Sequence, residues 1–385
     1  MKLTIPIIVL SQFFCTSLWF AGNSVIVEIA KELHLEVGVL AHLTSSIQFG
    51  FITGTLVFAI LTISDRFSPS YVFFFSALLA GLFNLAMLLE TVGLTEILIL
   101  RFLTGFFLAG IYPVGMKITA DYCEAGLGKS LGFLVGALVI GTAFPHLLKN
   151  YIADFSWKYV IYSTTILCII GGLMIFLFVP DGPFRKRGQR IKFNAFLTGF
   201  KDREFRSVAF GYFGHMWELY AFWAFVPVML TAYNLHYAKA NLNVPLYSFL
   251  IIASGSISCI ISGIISQKFG AKKVARLSLI ISGICCLTSP FFLFSNSIFL
   301  FFSFLLIWGF TVIADSPLFS TLIAQNAPAE TKGTSLTIVN CIGFSITILS
   351  IQLIGMLSNM INTQYVYVIL AIGPILGVFA LQRKK

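Results

Sequence analysis

Charge is scarce in this sequence. Asp, Glu, Lys and Arg together make up 10% of the 385 residues, against about 25% in a soluble domain. A chain of this length with so little charge has no means of coating itself in a polar surface, so a water-soluble globule is excluded. A nucleic-acid binder is excluded as well, despite the formal net charge of +10. The basic residues fall in short loops between apolar runs, not on one continuous face. Clustered cysteines are also missing. Cys15, Cys123, Cys168, Cys259, Cys285, Cys286 and Cys341 lie scattered, with no CxxC spacing and no Cys/His group. They read as small packing residues, and no metal or other cofactor is expected. Nor is there a Walker loop, a GxGxxG after a strand, an HExxH or a GxSxG. An enzyme is not expected, and neither is primary ATP-driven pumping by this chain alone.

What the sequence has instead is grease. Hydrophobic residues make up 58% of it, 41 residues are Phe, and the mean hydropathy is +0.94. The natural solvent for such a surface is lipid. A helix needs about 20 apolar residues to cross the hydrocarbon core. The runs place spans at 3–28, 38–63, 69–91, 95–120, 128–149, 158–180, 206–233, 246–267, 273–295, 297–324, 333–357 and 363–382, twelve in all. These runs are long and unbroken, without the dyad alternation of a membrane β-barrel. The first follows only Lys2 and is too long for a cleaved signal, so it reads as an uncleaved span. With the N-terminus inside, the inner side receives 20 Lys and Arg residues, eight of them between Arg185 and Arg206. The outer loops receive only Lys31, Lys149, Lys158 and Lys239. That bias places both termini in the cytoplasm of a multi-pass inner-membrane protein.

The only sizeable polar stretch, 181–205, divides six spans from six. The expected organisation is an N-terminal six-helix bundle at 1–180, a cytoplasmic linker at 181–205 and a C-terminal six-helix bundle at 206–385. Within it, "KFNAFLTGFKDREFR" reads either as a basic tether or as a short amphipathic helix on the inner surface. The halves also resemble each other. "SDRFSPSYV" (64–72) matches "SQKFGAKKV" (266–274), "GFFLAGIYP" (105–113) matches "GFTVIADSP" (309–317), and "GKSL" (128–131) matches "GTSL" (333–336). The offsets are nearly constant, as expected of a duplicated six-span unit.

With these features the chain resembles the major facilitator superfamily, and "SLWFAGN" (17–23) and "GHMWELYAFW" (214–223) are similar to a bacterial subgroup of it. The family's loop motif, G-x-x-x-D-[RK]-x-G-[RK]-[RK], is matched after span two by Asp65 and Arg66, with Leu61 and Ser68-Pro69 departing from it. The copy after span eight supplies Gly263, Lys268, Gly270, Lys272 and Lys273, with Gln267 in place of the acid. Arg101 and Gly105 are similar to the R-x-x-x-G of span four. The antiporter signature of span five is present only as Gly132 and Gly136, with Ala137 where Pro is expected. The resemblance implies two pseudo-symmetric bundles that alternate access to a central site, and a conformational latch built from Asp65, Arg66, Gln267 and Lys268. An ordinary turn with a capping Asp65 is the plainer alternative. The glycine pairs 50/54 and 132/136 serve close helix contact.

Ionisable residues within a span are costly, about 2.5–3.5 kcal/mol at the bilayer centre, and therefore informative. Glu218 falls roughly 18 Å into span seven, with His215 one turn earlier on the same face, where the two could share a hydrogen bond or a proton. Asp315 precedes Ser316-Pro317 in span ten, at a break where a helix lines a cavity or where the acid merely caps. Arg101 is either a snorkelling residue or, as the resemblance implies, a member of the proton pathway. Glu218, His215, Asp315 and Arg101 are thus the proton-coupling candidates. His42 and His146 lie at less certain depths. Trp19, Asn23, Gln48, Tyr112, Trp217 and Tyr220 are the candidates for the walls of a substrate cavity, although packing would account for most of the aromatics. The expected function is secondary transport of a small organic solute, coupled to protons, by a monomer in the bilayer. A facilitator, a drug-type exporter not coupled through Glu218, and a non-transporting membrane sensor are the alternatives.

Overall fold

The structure is a computed structural model that describes residues 3–33, 39–90, 92–123, 127–152, 155–185, 199–237, 239–327 and 332–382. Of the expected surface helix within 192–206, residues 192–198 lie outside the described residues, as do both chain ends, and residues 203–206 belong to the long helix Arg203–His236. Among the described residues the secondary structure is helical throughout. The chain packs into two compact units, Met1–Ile191 and Lys192–Lys385.

The first unit contains α1 (Thr4–Thr16), α2 (Ala21–Ser24), α3 (Ile26–Glu32), α4 (Val39–Ile60), α5 (Ile63–Arg66), α6 (Pro69–Ala86), α7 (Leu94–Leu108), α8 (Tyr112–Tyr122), α9 (Leu127–Tyr151) and α10 (Lys158–Phe178). The second contains α11 (Arg203–His236), α12 (Val244–Phe269), α13 (Ala271–Phe292), α14 (Ile298–Thr311), α15 (Ser316–Asn326), α16 (Lys332–Leu357), α17 (Thr363–Val366), a 3₁₀ turn (Tyr367–Ala371) and α18 (Ile372–Gln382). Ten helical stretches among the described residues are long and apolar enough to cross a bilayer. The two other expected spans differ from these for a physical reason. The first is broken into α1, α2 and α3. The seventh is the unbroken 34-residue α11, whose Tyr, Trp, His and Glu side chains lower its hydropathy. These two carry six of the ten residues expected at the proton and substrate sites.

Each of three helix breaks has a local cause. At 17–20 the backbone tightens to i→i−3 bonds, Leu18 N–H to Cys15 O and Trp19 N–H to Thr16 O, while the Thr16 and Ser17 hydroxyls donate to carbonyls of the preceding turn. Such tightening releases carbonyls from the helical ladder. The other two breaks precede Tyr112-Pro113 and Ser316-Pro317, where proline removes a donor. These proline pairs stand 204 positions apart.

That offset also governs packing. Gly105 on α7 lies against Ile47 of α4, and a Cβ there would overlap the Ile47 carbonyl. Gly309 on α14 lies in the same way against the carbonyl of Ile251 on α12. Both members of each pair are 204 residues apart, so the duplicated sequence makes a duplicated contact. Gly50 and Gly54 face the backbone of α7 at Phe102 and Phe106, which supports the reading of these glycines as packing residues.

Gly105→Leu and Gly309→Leu are each expected to cost about 1–3 kcal/mol or more through overpacking. Gly263, which has nothing within 4 Å of a built Cβ, should accept Ala without loss and gain up to about 1 kcal/mol of helix propensity. Unfolding of the purified protein in mixed micelles, followed by tryptophan fluorescence, measures all three.

Candidate functional site

All four proton-coupling candidates are deeply buried. Glu218, His215 and Asp315 are each 1% exposed and Arg101 is 0% exposed. At such burial a polar group is destabilising unless it has partners, so its partners define what it does.

Glu218 projects from the middle of α11 into a seam of its own unit. Trp308 Nε1 on α14 donates to Oε1 at 2.6 Å, and Ser282 Oγ on α13 donates to Oε2 at 2.9 Å. Cys286 Sγ, one turn beyond Ser282, donates to Oε1 at 3.2 Å. Three donors from two neighbouring helices match the acceptor capacity of an ionised carboxylate. The clasp also accommodates the neutral acid. Ser282 Oγ lies 3.3 Å from the Leu279 carbonyl, so its hydroxyl can turn to donate there and accept a proton carried on Oε2.

The expected hydrogen bond between His215 and Glu218 is not formed, because each side chain has a better partner. His215 Nδ1 lies 2.8 Å from Asp315 Oδ1, and its ring is flanked by Tyr212 and Phe319. Asp315 stands in the N-cap position of α15 yet makes no side-chain cap bond; its carboxylate turns toward α11 instead. The capping alternative is thereby removed. His215 Nδ1 and Asp315 Oδ1 meet at ion-pair distance without the alignment of a hydrogen bond, and His215 Nε2 is likewise buried without a hydrogen-bond partner among the described residues. Together these contacts make a polar string in the second unit: Asp315 and His215, then, one helical turn along α11, Glu218 with Ser282, Cys286 and Trp308.

Arg101 does not snorkel. Its NH1 donates to the Leu18 carbonyl at 3.1 Å and its NH2 to the Trp19 carbonyl at 2.5 Å, which are the carbonyls exposed where α1 breaks. NH1 also approaches Asn84 Oδ1 at 3.4 Å. Asn84 is itself anchored to Thr164 and Thr165 of α10. No carboxylate is among the described partners of Arg101. The guanidinium is held by carbonyl dipoles at the C-terminal end of a helix, where a cation is favoured. Its role visible in the structure is to hold the break in the first span.

The candidate cavity residues separate. Asn23 Nδ2 donates to Thr44 Oγ1 at 2.7 Å, and Trp19 packs on Phe51 with ring centroids 5.0 Å apart. Gln48 is fully buried on α4, Tyr112 is half-buried at the start of α8, and His42 is exposed. Tyr220 packs between Trp223 and Phe344. Trp217 points elsewhere: its Nε1 donates to the Ile369 carbonyl at 3.2 Å, away from the partners of Glu218. Asp65 pairs with Lys117 of its own unit, and Lys117 also donates to the Ser64 carbonyl. Arg66, Gln267 and Lys268 are exposed. His146 is buried on α9 of the first unit. Sequence reasoning missed Ser282, Cys286 and Trp308. The available signal was the spacing of Ser278, Ser282, Cys286 and Ser289, which marks a small-polar stripe along one face of α13. Among the described residues no His, Cys, Asp and Glu converge as a metal-ligand set.

Two compact all-helical units, a repeat at offset 204 and buried ionisable residues on broken or polar spans define a polytopic membrane protein of the transporter kind. The family model described as Major Facilitator Superfamily matches residues 8–351, and the chain belongs to that family. It is similar in fold to the crystal structure of the human organic anion transporter MFSD10 (TETRAN), with a TM-score of 0.75 and 14% identity over 99% of each chain. No curated protein matches the chain in sequence. The family consists of transporters, so the chain is a membrane transporter and not an enzyme.

Arg101→Leu is expected to orphan the carbonyls of Leu18 and Trp19, at about 1–3 kcal/mol for each. Arg101→Lys should recover part of the loss, because an ammonium reaches one carbonyl but cannot fork to two. The apparent melting temperatures of the purified variants, ranked wild type, Lys, Leu, check this order.

Proposed function

We propose that the chain is a proton-coupled secondary active transporter, moving a small organic solute across a bacterial inner membrane by alternating access. In this reading twelve spans form two six-helix halves, with the broken Thr4–Glu32 segment as the first span and α11 as the seventh. The observation that carries the proposal is the string of three ionisable side chains, each 1% exposed, running from the α14–α15 break to the middle of α11. Lipid selects against such residues unless they work.

The chemistry follows from the partners. Asp315 and His215 form the exchange pair: a proton on Nδ1 is shared with the carboxylate, and Nε2 is the second position from which the imidazole gives it up. Glu218 is the neighbouring store. When ionised it draws Ser282, Cys286 and Trp308 onto α11. When protonated it donates to Ser282 Oγ, whose hydroxyl turns to the Leu279 carbonyl, and the loss of its charge weakens the Trp308 and Cys286 bonds and loosens the seam. Proton occupancy would thus be converted into a change in how α11 packs on α13 and α14, which is the kind of two-state contact that alternating access needs. Asp65, Arg66, Gln267 and Lys268 are proposed as the exchangeable latch, with the Asp65–Lys117 pair as one of its settings. The organic-anion cargo named for MFSD10 is not carried over; at 14% identity the likeness is one of fold.

A second reading is a facilitator not coupled through Glu218. It is favoured by the full set of donors around that carboxylate, which would suit a purely structural tie. The two readings separate in proteoliposomes. Under coupling, Glu218→Gln and Asp315→Asn retain solute exchange at equilibrium but lose accumulation driven by an imposed pH gradient, by about tenfold or more. If both variants accumulate solute as the wild type does, coupling through this string is refuted and the facilitator reading stands.

A further inference from the structure

The second unit carries a groove that transport chemistry does not use. It runs between α11, α16 and α18, encloses about 630 Å³, and is walled by Phe210, Phe213, Trp217, Leu349, Leu376 and Phe379. Phe210 is 49% exposed, Leu349 63%, Leu376 62% and Phe379 62%. The groove therefore opens sideways, toward the hydrocarbon that surrounds the spans. Its floor exists because α11 and α18 meet through glycines. A Cβ on Gly214 would overlap the Gly373 carbonyl and come within 3.0 Å of Gly377 Cα, and Gly214 and Gly373 both line the groove.

One end of the groove is cationic. Arg203 and Arg206, both exposed, line it at the start of α11. The nearby acids are engaged elsewhere: Asp202 accepts the Phe205 N–H at 2.7 Å, and Glu204 pairs with Lys272 at 2.7 Å. Arg206 gives one N–H to the Phe200 carbonyl at 3.1 Å, which leaves most of its fork for a further acceptor. At the other end Trp217 closes the trough, fixed by its bond to the Ile369 carbonyl.

The length matches one leaflet. Fourteen residues separate Arg203 from Trp217, about 21 Å at a rise of about 1.5 Å. Half of a bilayer with its headgroups is about 20–22 Å. Two guanidinium groups at headgroup depth, an apolar trough below them and a stop near the midplane fit the shape and charge of a phospholipid. The Lys and Arg bias places this end at the cytoplasmic leaflet, where anionic headgroups are drawn to basic residues beside spans. A zwitterionic lipid would bring its own cation to the same two arginines.

We infer that this groove seats one anionic phospholipid, with its phosphate at Arg203 and Arg206 and an acyl chain along Phe210, Phe213 and Trp217. The test uses the full-length protein, purified in mild detergent and stripped of lipid. Phosphatidylglycerol and phosphatidylcholine with identical acyl chains are added in turn, and bound lipid is counted by native mass spectrometry. One phosphatidylglycerol per chain should be retained, at least tenfold more tightly than phosphatidylcholine. Arg203→Gln with Arg206→Gln should bring it down to the phosphatidylcholine level. Leu349→Trp with Leu376→Trp, which fills the trough without touching its charge, should expel it. Inorganic phosphate at matched concentration should not compete. Equal retention of the two lipids by the wild type would overturn the assignment, and that comparison needs no variant to fold. Unchanged binding in the arginine variant, displacement by free phosphate, or chain dimers in place of lipid adducts would overturn it as well.

Discussion

A polar group inside a membrane has no water to turn to. Every donor, acceptor and charge within the spans must find its partner in protein. The organisation of this chain follows from that requirement. In the first unit α1 breaks at residues 17–20, and the exposed carbonyls are taken up by Arg101 from α7, more than 80 residues away in sequence. The guanidinium in turn is tolerable at 0% exposure only because those carbonyls, and Asn84 behind them, surround it. Break and arginine each make the other possible.

The second unit solves the same problem with the opposite sign. Its buried charges are carboxyls, and it satisfies them with a tryptophan, a serine, a cysteine and a histidine drawn from α11, α13 and α14. The two halves share a backbone plan, visible in the glycine contacts of Gly105 and Gly309 and in the fully buried Trp19 and Trp223, also 204 positions apart. They differ in electrostatics. Arg101 corresponds to Leu305 at that offset, and Glu218 to Phe14. Duplication supplied the scaffold, and later divergence separated a half that holds a kink from a half that holds protonatable groups.

Much of the fold was legible because lipid is a simple selector. Runs of about 20 apolar residues, proline pairs and a nearly constant repeat offset report directly on helices and their breaks, whatever packs beside them. The elements that resisted were those with divided loyalties. The first span is mostly apolar, yet it breaks at residues 17–20, where its own hydroxyls and Arg101 take up backbone carbonyls. The seventh is a long continuous helix whose aromatic and ionisable side chains make it look less like a span than its neighbours. Of the site, the buried status of Glu218 and Asp315 could be read from their surroundings in the chain. The identity of their partners could not. A spacing of three residues placed His215 and Glu218 on one face of α11, but a face wide enough to hold both also lets them point to different neighbours.

The sequence by itself thus determined a lipid-embedded helical chain, its duplication, and which few ionisable residues it keeps within its spans, because each of those is a statement about solvent and local geometry. Only the tertiary structure decided that Asp315 turns to His215, that Glu218 is clasped by Trp308, Ser282 and Cys286, and that Arg101 serves carbonyls and not an acid. Those pairings depend on which helix faces cross, and the rotation of one helix against another is set by packing between residues far apart in the chain.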